Sequence, residues 1–110
     1  MRMMMRVSIP VEAGNAAVRT GALGSTIQKI LAEIKPEASY FVEEDGKEED
    51  GKRTAYLFFD MTDSSQLPAL AEPWFLAFNA SLTVRPAMNP QDLAKAEPAI
   101  QKAAAAFAGH

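Results

Sequence analysis

Cysteine is absent from this chain, and its single histidine, His110, is the last of 110 residues. The first absence excludes disulfides, thiolate metal sites and thiol nucleophiles, and it fits a reducing compartment such as the cytoplasm. The second leaves no usable imidazole, because a terminal Gly109-His110 is expected to fray. Histidine acid–base chemistry and histidine-ligated metals fall with it. Neither Gly21 nor Gly24 follows a strand with phosphate-loop spacing, so no nucleotide motif is present and no cofactor is expected. An excess of basic charge is also missing. The net charge of −3 gives no footprint for nucleic acid. No apolar run approaches the roughly 20 residues of a membrane span. Arg2 and Arg6 flank Met3, Met4 and Met5 with no longer apolar region behind them, so a signal peptide is not expected either.

What remains is ordinary globular composition, 48% hydrophobic and 23% charged, read as one domain over residues 1–110 with a single core. Arg2 to Ile9 alternates as a strand: Met3, Met5, Val7 and Ile9 share one face, and Arg2, Met4, Arg6 and Ser8 the other. That alternation separates Met4 from its neighbours, and thioethers without Cys or His are weak ligands, so the methionines are not a metal run. After Pro10, glycines at 14, 21 and 24 interrupt a helical composition, and Asn15 is placed as the cap of a short turn ending at Arg19. Leu23, Ile27, Ile30, Leu31 and Ile34 then give a helix one apolar stripe, stopped by Pro36.

Ala38 to Glu43 and Thr54 to Met61 read as the second and third strands. The third carries Leu57, Phe59 and Met61 on one face, Tyr56 and Phe58 on the other, and so belongs in the middle of a sheet. Asp63 to Gln66 has the spacing of a capping box. It opens a helix to Phe78 that Pro68 and Pro73 are expected to shorten or kink. Ala80 to Pro86 is the fourth strand. Asn89-Pro90 starts a last helix with Leu93, Ile100, Ala104 and Phe107 on its apolar face and a break expected at Pro98. The order β-α-β-β-α-β-α predicts an α+β ferredoxin-like βαββαβ sandwich with an extra C-terminal helix, strands one and three central.

Between the second and third strands stand Glu43-Glu44-Asp45-Gly46-Lys47 and Glu48-Glu49-Asp50-Gly51-Lys52, the same five residues twice. Asp-Gly between alternating apolar runs is a hairpin signal. Shifting one strand by five residues would expose Phe41 or Leu57, at about 1.5–3 kcal/mol for each. Lengthening the loop costs roughly a few tenths of a kcal/mol. The register of a parent hairpin five residues shorter is therefore expected to survive, with residues 43–52 forming a mobile acidic loop.

Helices cover only one face of such a sheet. The other carries Arg2, Met4, Arg6, Tyr56, Phe58, Thr83 and Arg85, too apolar to be left to water. A second copy across a two-fold axis is the simplest cover, making a homodimer the expected assembly. Arg6, Asp60 and Arg85 fall on that face of neighbouring strands, and two guanidiniums with one carboxylate would hold an acidic small molecule. The competing reading is a structural ion pair inside the interface. Tyr56 is a candidate proton donor there or a buried, satisfied hydroxyl. Trp74, Phe75 and Phe78 recur at helical spacing as core aromatics. In the sharper alternative Trp74 walls a pocket toward Glu12 and Asn15, with Glu12 and Glu72 as a carboxylate pair.

With its β-α-β-β-α-β order and doubly apolar central strands, the chain resembles the dimeric α+β barrel group. That group holds antibiotic-biosynthesis-type monooxygenases, muconolactone isomerase-like proteins and many small bacterial proteins. The opening Met-Arg-Met-Met-Met-Arg-Val-Ser-Ile-Pro and Ala71-Glu72-Pro73-Trp74-Phe75 look like members of the last set. The resemblance implies a small organic ligand, held in the barrel interior or the cleft between sheet and helices. It also implies a possible cofactor-free oxygenase or isomerase using polar Asn, Trp or His residues. This chain offers Trp74, Asn15 and Asn79 and no usable histidine. Three readings follow: a homodimeric small-molecule-binding protein with Arg6, Tyr56, Asp60 and Arg85 at its site; an enzyme of the named kind with Trp74 and Asn15 lining a pocket; or a self-association module with no ligand.

Overall fold

The computed structural model describes residues 1–109, and the expectation about His110 lies outside them. In chain order it forms β1 (Arg2–Ile9), α1 (Val11–Arg19), α2 (Leu23–Ile34), β2 (Ala38–Glu44), β3 (Lys52–Asp60), α3 (Leu67–Phe78), β4 (Ser81–Pro86) and α4 (Pro90–Phe107). The strands lie in the order β2-β3-β1-β4, every neighbouring pair antiparallel. This is the ferredoxin-like α+β arrangement, with the two strands that are apolar on both faces at its centre.

Alternation along β1 drives Met3, Met5, Val7 and Ile9 under the helices, where Ala55, Leu57 and Phe59 of β3 meet them. Ile30 of α2 and Trp74 and Phe78 of α3 close this layer from above. Met5, Val7, Leu57 and Trp74 are wholly buried, each worth about 1.5–3 kcal/mol relative to exposure. Trp74 and Phe78 pack as a tilted pair with ring centroids 6.2 Å apart.

The first crossover differs from expectation. Asn15 does not cap a helix: α1 begins four residues earlier, at Val11 directly after Pro10, and Asn15 sits inside it. Proline's fixed φ suits a helix entrance, and Pro10 lies at φ −56°. Gly21, at φ +75°, breaks the chain between α1 and α2 in the left-handed region that glycine tolerates.

The internal prolines also leave their helices unbroken. α3 runs through Pro73 to Phe78, and α4 through Pro98 to Phe107. An interior proline costs about 3 kcal/mol. In α3 the burial of Trp74 and Phe78 immediately beyond it offsets that cost. Both helices start from capping boxes: Asp63 with Gln66 before a 3₁₀ turn at Ser64–Gln66, and Asn89 with Asp92 before α4.

Glu43 pairs with Arg53 and Glu44 with Lys52, so residues 45–51 form the connection. Two carboxylates of this connection accept backbone hydrogen bonds. The Glu49 carboxylate accepts from the Val11 N–H at 2.9 Å, satisfying one of the free donors at the start of α1. Gly51 N–H donates to Asp45 Oδ1 at 3.3 Å. A side chain of the second repeat thus bonds to the body of the protein.

α4 stands apart. Its only ion pair to the body joins Asp92 in its first turn to Arg2 of β1, at 3.6 Å, among the described residues. From Glu97 to Gly109 every residue is exposed. The protomer measures 58 × 31 × 22 Å with a radius of gyration of 17.7 Å, against about 13 Å for a compact chain of this length. Among the described residues no helix is long and apolar enough to cross a membrane.

Candidate functional site

Two surfaces carry chemistry. The first is the open sheet face, where alternation aligns Arg2, Met4, Arg6 and Ser8 of β1 with Tyr56, Phe58 and Asp60 of β3 and with Thr83 and Arg85 of β4. Arg6 is not joined to Asp60. Its Nε donates to Glu44 Oε1 at 2.9 Å, and the Tyr56 hydroxyl donates to Glu44 Oε2 at 2.7 Å. Both carboxylate oxygens are therefore occupied. The Tyr56 hydroxyl, and after it the Arg6 guanidinium, hold the Glu44 carboxyl below its ordinary pKa. Arg6 is raised in turn, chiefly by its hydrogen bond to Glu44.

Asp60 instead receives the amino terminus of Met1 at 2.7 Å, in an exposed pair. Arg2 Nε donates to Glu37 at 2.8 Å. Arg85 is exposed and has no ion pair among the described residues. The expected cluster of Arg6, Asp60 and Arg85 does not assemble, because Asp60 pairs with the amino terminus and Arg6 with Glu44. Glu44 was missed by the sequence reading. Alternation with Tyr40 and Val42 puts it on this face, the signal that would have found it.

The second surface is a cleft of about 390 Å³ on the helix side of the sheet, between α2 and the β2–β3 edge. Ile9, Leu23, Ile27 and Phe41 form its apolar walls, and Arg53, Glu43 and Trp74 border it. Trp74 is fully buried and its indole N–H has no acceptor. Leaving a buried donor unsatisfied costs about 1–3 kcal/mol, and such a group invites an explanation.

Arg53 occupies a place alternation reserves for the core, on the same face as Ala55, Leu57 and Phe59. One of its nitrogens, Nη1, donates to Asn15 Oδ1 at 3.0 Å. No carboxylate lies within ion-pair distance of it among the described residues, although Glu43 is its partner across the strands. Gly14 of α1 makes room for it: a Cβ there would lie 2.7 Å from Arg53 Nη1. The cleft therefore combines apolar walls with one guanidinium that has no carboxylate partner among the described residues, and it is bordered by Trp74, whose buried N–H lacks an acceptor. Of the residues singled out from sequence, Trp74 lies on this cleft and Asn15 reaches it through Arg53. Glu12 and Glu72 are both exposed, and Glu12 borders a separate groove with Pro10, Ala13, Ala16 and Asn79. No group of three or more metal-ligating side chains occurs among the described residues.

No protein-family model matches the chain, and no curated protein matches it. Among solved structures it is similar to a 5-chloro-2-hydroxyhydroquinone dehydrochlorinase from Burkholderia phenoliruptrix AC1100 in complex with 2,5-dihydroxybenzoquinone. The TM-score is 0.54 at 10% identity, over 83% of this chain and 97% of that one. A formyltetrahydrofolate deformylase from Pseudomonas putida KT2440 aligns at TM-score 0.46 and 14% identity, over 79% of this chain and 29% of that one. A candidate antibiotic biosynthesis monooxygenase from Deinococcus radiodurans aligns at 0.35 and 10%, over 81% and 94%. The last two are too remote to argue from. The likeness to the dehydrochlorinase shows a shared ferredoxin-like α+β fold.

Proposed function

We propose that this chain is a homodimeric small-molecule-binding protein whose helix-side cleft takes a small aromatic or branched carboxylate. The observation that carries this reading is the wholly buried Trp74 indole N–H, without an acceptor, beside a cleft that also holds the unpaired Arg53. A carboxylate would supply an acceptor and a counter-charge together, since arginine's planar fork matches it geometrically. The apolar walls would take the rest of the ligand, as small-molecule sites are mostly apolar with a few convergent polar groups.

The open sheet face has a different part in this proposal. Glu44 neutralises Arg6 there, so Arg6 is not free to bind an acidic ligand. Met4, Tyr56 and Phe58 are the apolar ground of a dimer interface, with Arg6, Tyr56 and Glu44 as its internally paired polar centre. Arg6, Tyr56, Asp60 and Arg85 are assigned to assembly, Trp74 and Asn15 to the ligand.

Trp74 is the only tryptophan, so its fluorescence reports the cleft alone. Titration with a panel of small aromatic carboxylates and their amides should give saturable changes for carboxylates. Amides, and carboxylates added to Arg53→Met, should bind at least tenfold more weakly, about 1.4 kcal/mol. A silent tryptophan across the panel, or equal binding by Arg53→Met, contradicts the proposal.

A further inference from the structure

We infer that α4 is an arm that packs against a second copy of this chain and not against its own body. The inference rests on the homodimer proposed above and adds which element holds it. At about 1.5 Å per residue, the 18 residues of α4 reach about 27 Å. That accounts for the 58 Å length of a protomer only 31 Å across in its next dimension. None of its residues is buried, and Leu93, Ile100 and Phe107 are all exposed.

Those three residues recur every seven positions, with Ala96 and Ala103 between them. This is the spacing of an apolar seam presented by a helix to a packing partner. Such a helix needs that partner. Pro98 sits at its middle, proline is the least favourable residue in a helix interior, and short isolated helices are marginal in water. The body of its own protomer supplies little contact beyond the first turn, where Asp92 meets Arg2 on the open-face side of the sheet. The arm therefore leaves from the side where the second copy would sit.

Area argues the same way. A four-stranded face about 20 Å wide and 26 Å long covers roughly 500 Å², while a stable interface needs about 800 Å² from each partner. A stripe about 27 Å long and 10 Å wide adds roughly 270 Å². The sheet alone falls well short, and the sheet with its arm comes close to the required size.

Hydrogen exchange on the unaltered chain, with light scattering at the same concentrations, tests the arm. At high concentration the mass should be twice 11.9 kDa, with amides 94–107 protected, and dilution should remove both together. Ile100→Asp, at a position exposed in the protomer, should weaken dimerisation at least tenfold while Trp74 fluorescence stays native. A dimer whose α4 exchanges freely, or one that Ile100→Asp leaves intact, overturns the arm and leaves the sheet-face dimer standing. A mass of one chain at every concentration overturns both.

Discussion

The Tyr56 hydroxyl donates to Glu44 Oε2 across 2.7 Å, on the sheet face that no helix covers. Arg6 takes the other carboxylate oxygen from β1, so the three side chains tie the edge strand β2 to both central strands. A carboxylate satisfied in this way loses much of its need for water. Met4, Tyr56 and Phe58 around it can then be withdrawn from solvent without stranding the Glu44 charge.

Stability should depend on pH through Glu44. Its folded pKa lies below the ordinary glutamate value of about 4.3, so protonation favours the unfolded chain. The contribution is complete at neutral pH and is lost as pH falls through the depressed value. Denaturant melts of the native chain and Glu44→Gln should therefore differ most at pH 7 and converge toward pH 3. A constant difference contradicts the assignment, since Asp63, also depressed, is common to both proteins and cancels.

Gly14→Ala should separate folding from binding. Alanine is favoured over glycine inside a helix by about 1 kcal/mol. The new Cβ would lie 2.7 Å from Arg53 Nη1 and 3.3 Å from its Cδ, forcing the flexible guanidinium away from Asn15. Thermal melting should show an unchanged or slightly raised midpoint, and tryptophan titration a weaker carboxylate affinity. Retained affinity in the folded variant would mean that Arg53 is not the anchor.

Removing residues 48–52 leaves Asp45-Gly46 as a two-residue turn between Glu44 and Lys47, so the strands keep their faces. The shorter loop gains roughly a few tenths of a kcal/mol of closure entropy and loses the Glu49 bond to Val11, worth about 1 kcal/mol in the opposite direction. The deleted chain should fold with stability within about 1 kcal/mol of the original by urea unfolding. A collapse of stability would show the second repeat to be structural. Glu49→Ala alone should destabilise, because it removes the bond and keeps the long loop.

Sheet order and core were legible because both follow from a period of two along strands with one covered face. Met5, Val7 and Leu57 could stand nowhere else. Helix α1 was hidden by Gly14 in its middle, a residue present to admit Arg53 and visible as such only once β3 lies beneath it. Arg53 itself carried a signal in its alternation, a charged residue in register with Ala55, Leu57 and Phe59. The partners of Arg6 and Asp60 were not legible. Which carboxylate a guanidinium reaches depends on side-chain length and strand twist, and Asp60 meets the chain's own amino terminus. The proline of α3 misled because propensity is local while the packing that outweighs it is not; α4 runs through Pro98 with no such packing inside its own protomer.

The central claim is that the Trp74 N–H waits for a ligand's acceptor, and this chain has only one indole N–H resonance by which to see it. Heteronuclear NMR during titration with a small aromatic carboxylate measures that claim most directly. The account predicts a saturable shift of the single indole peak in the native protein, strongly reduced in Arg53→Met. An indole peak that stays fixed while a carboxylate binds elsewhere, or while none binds at all, would contradict it.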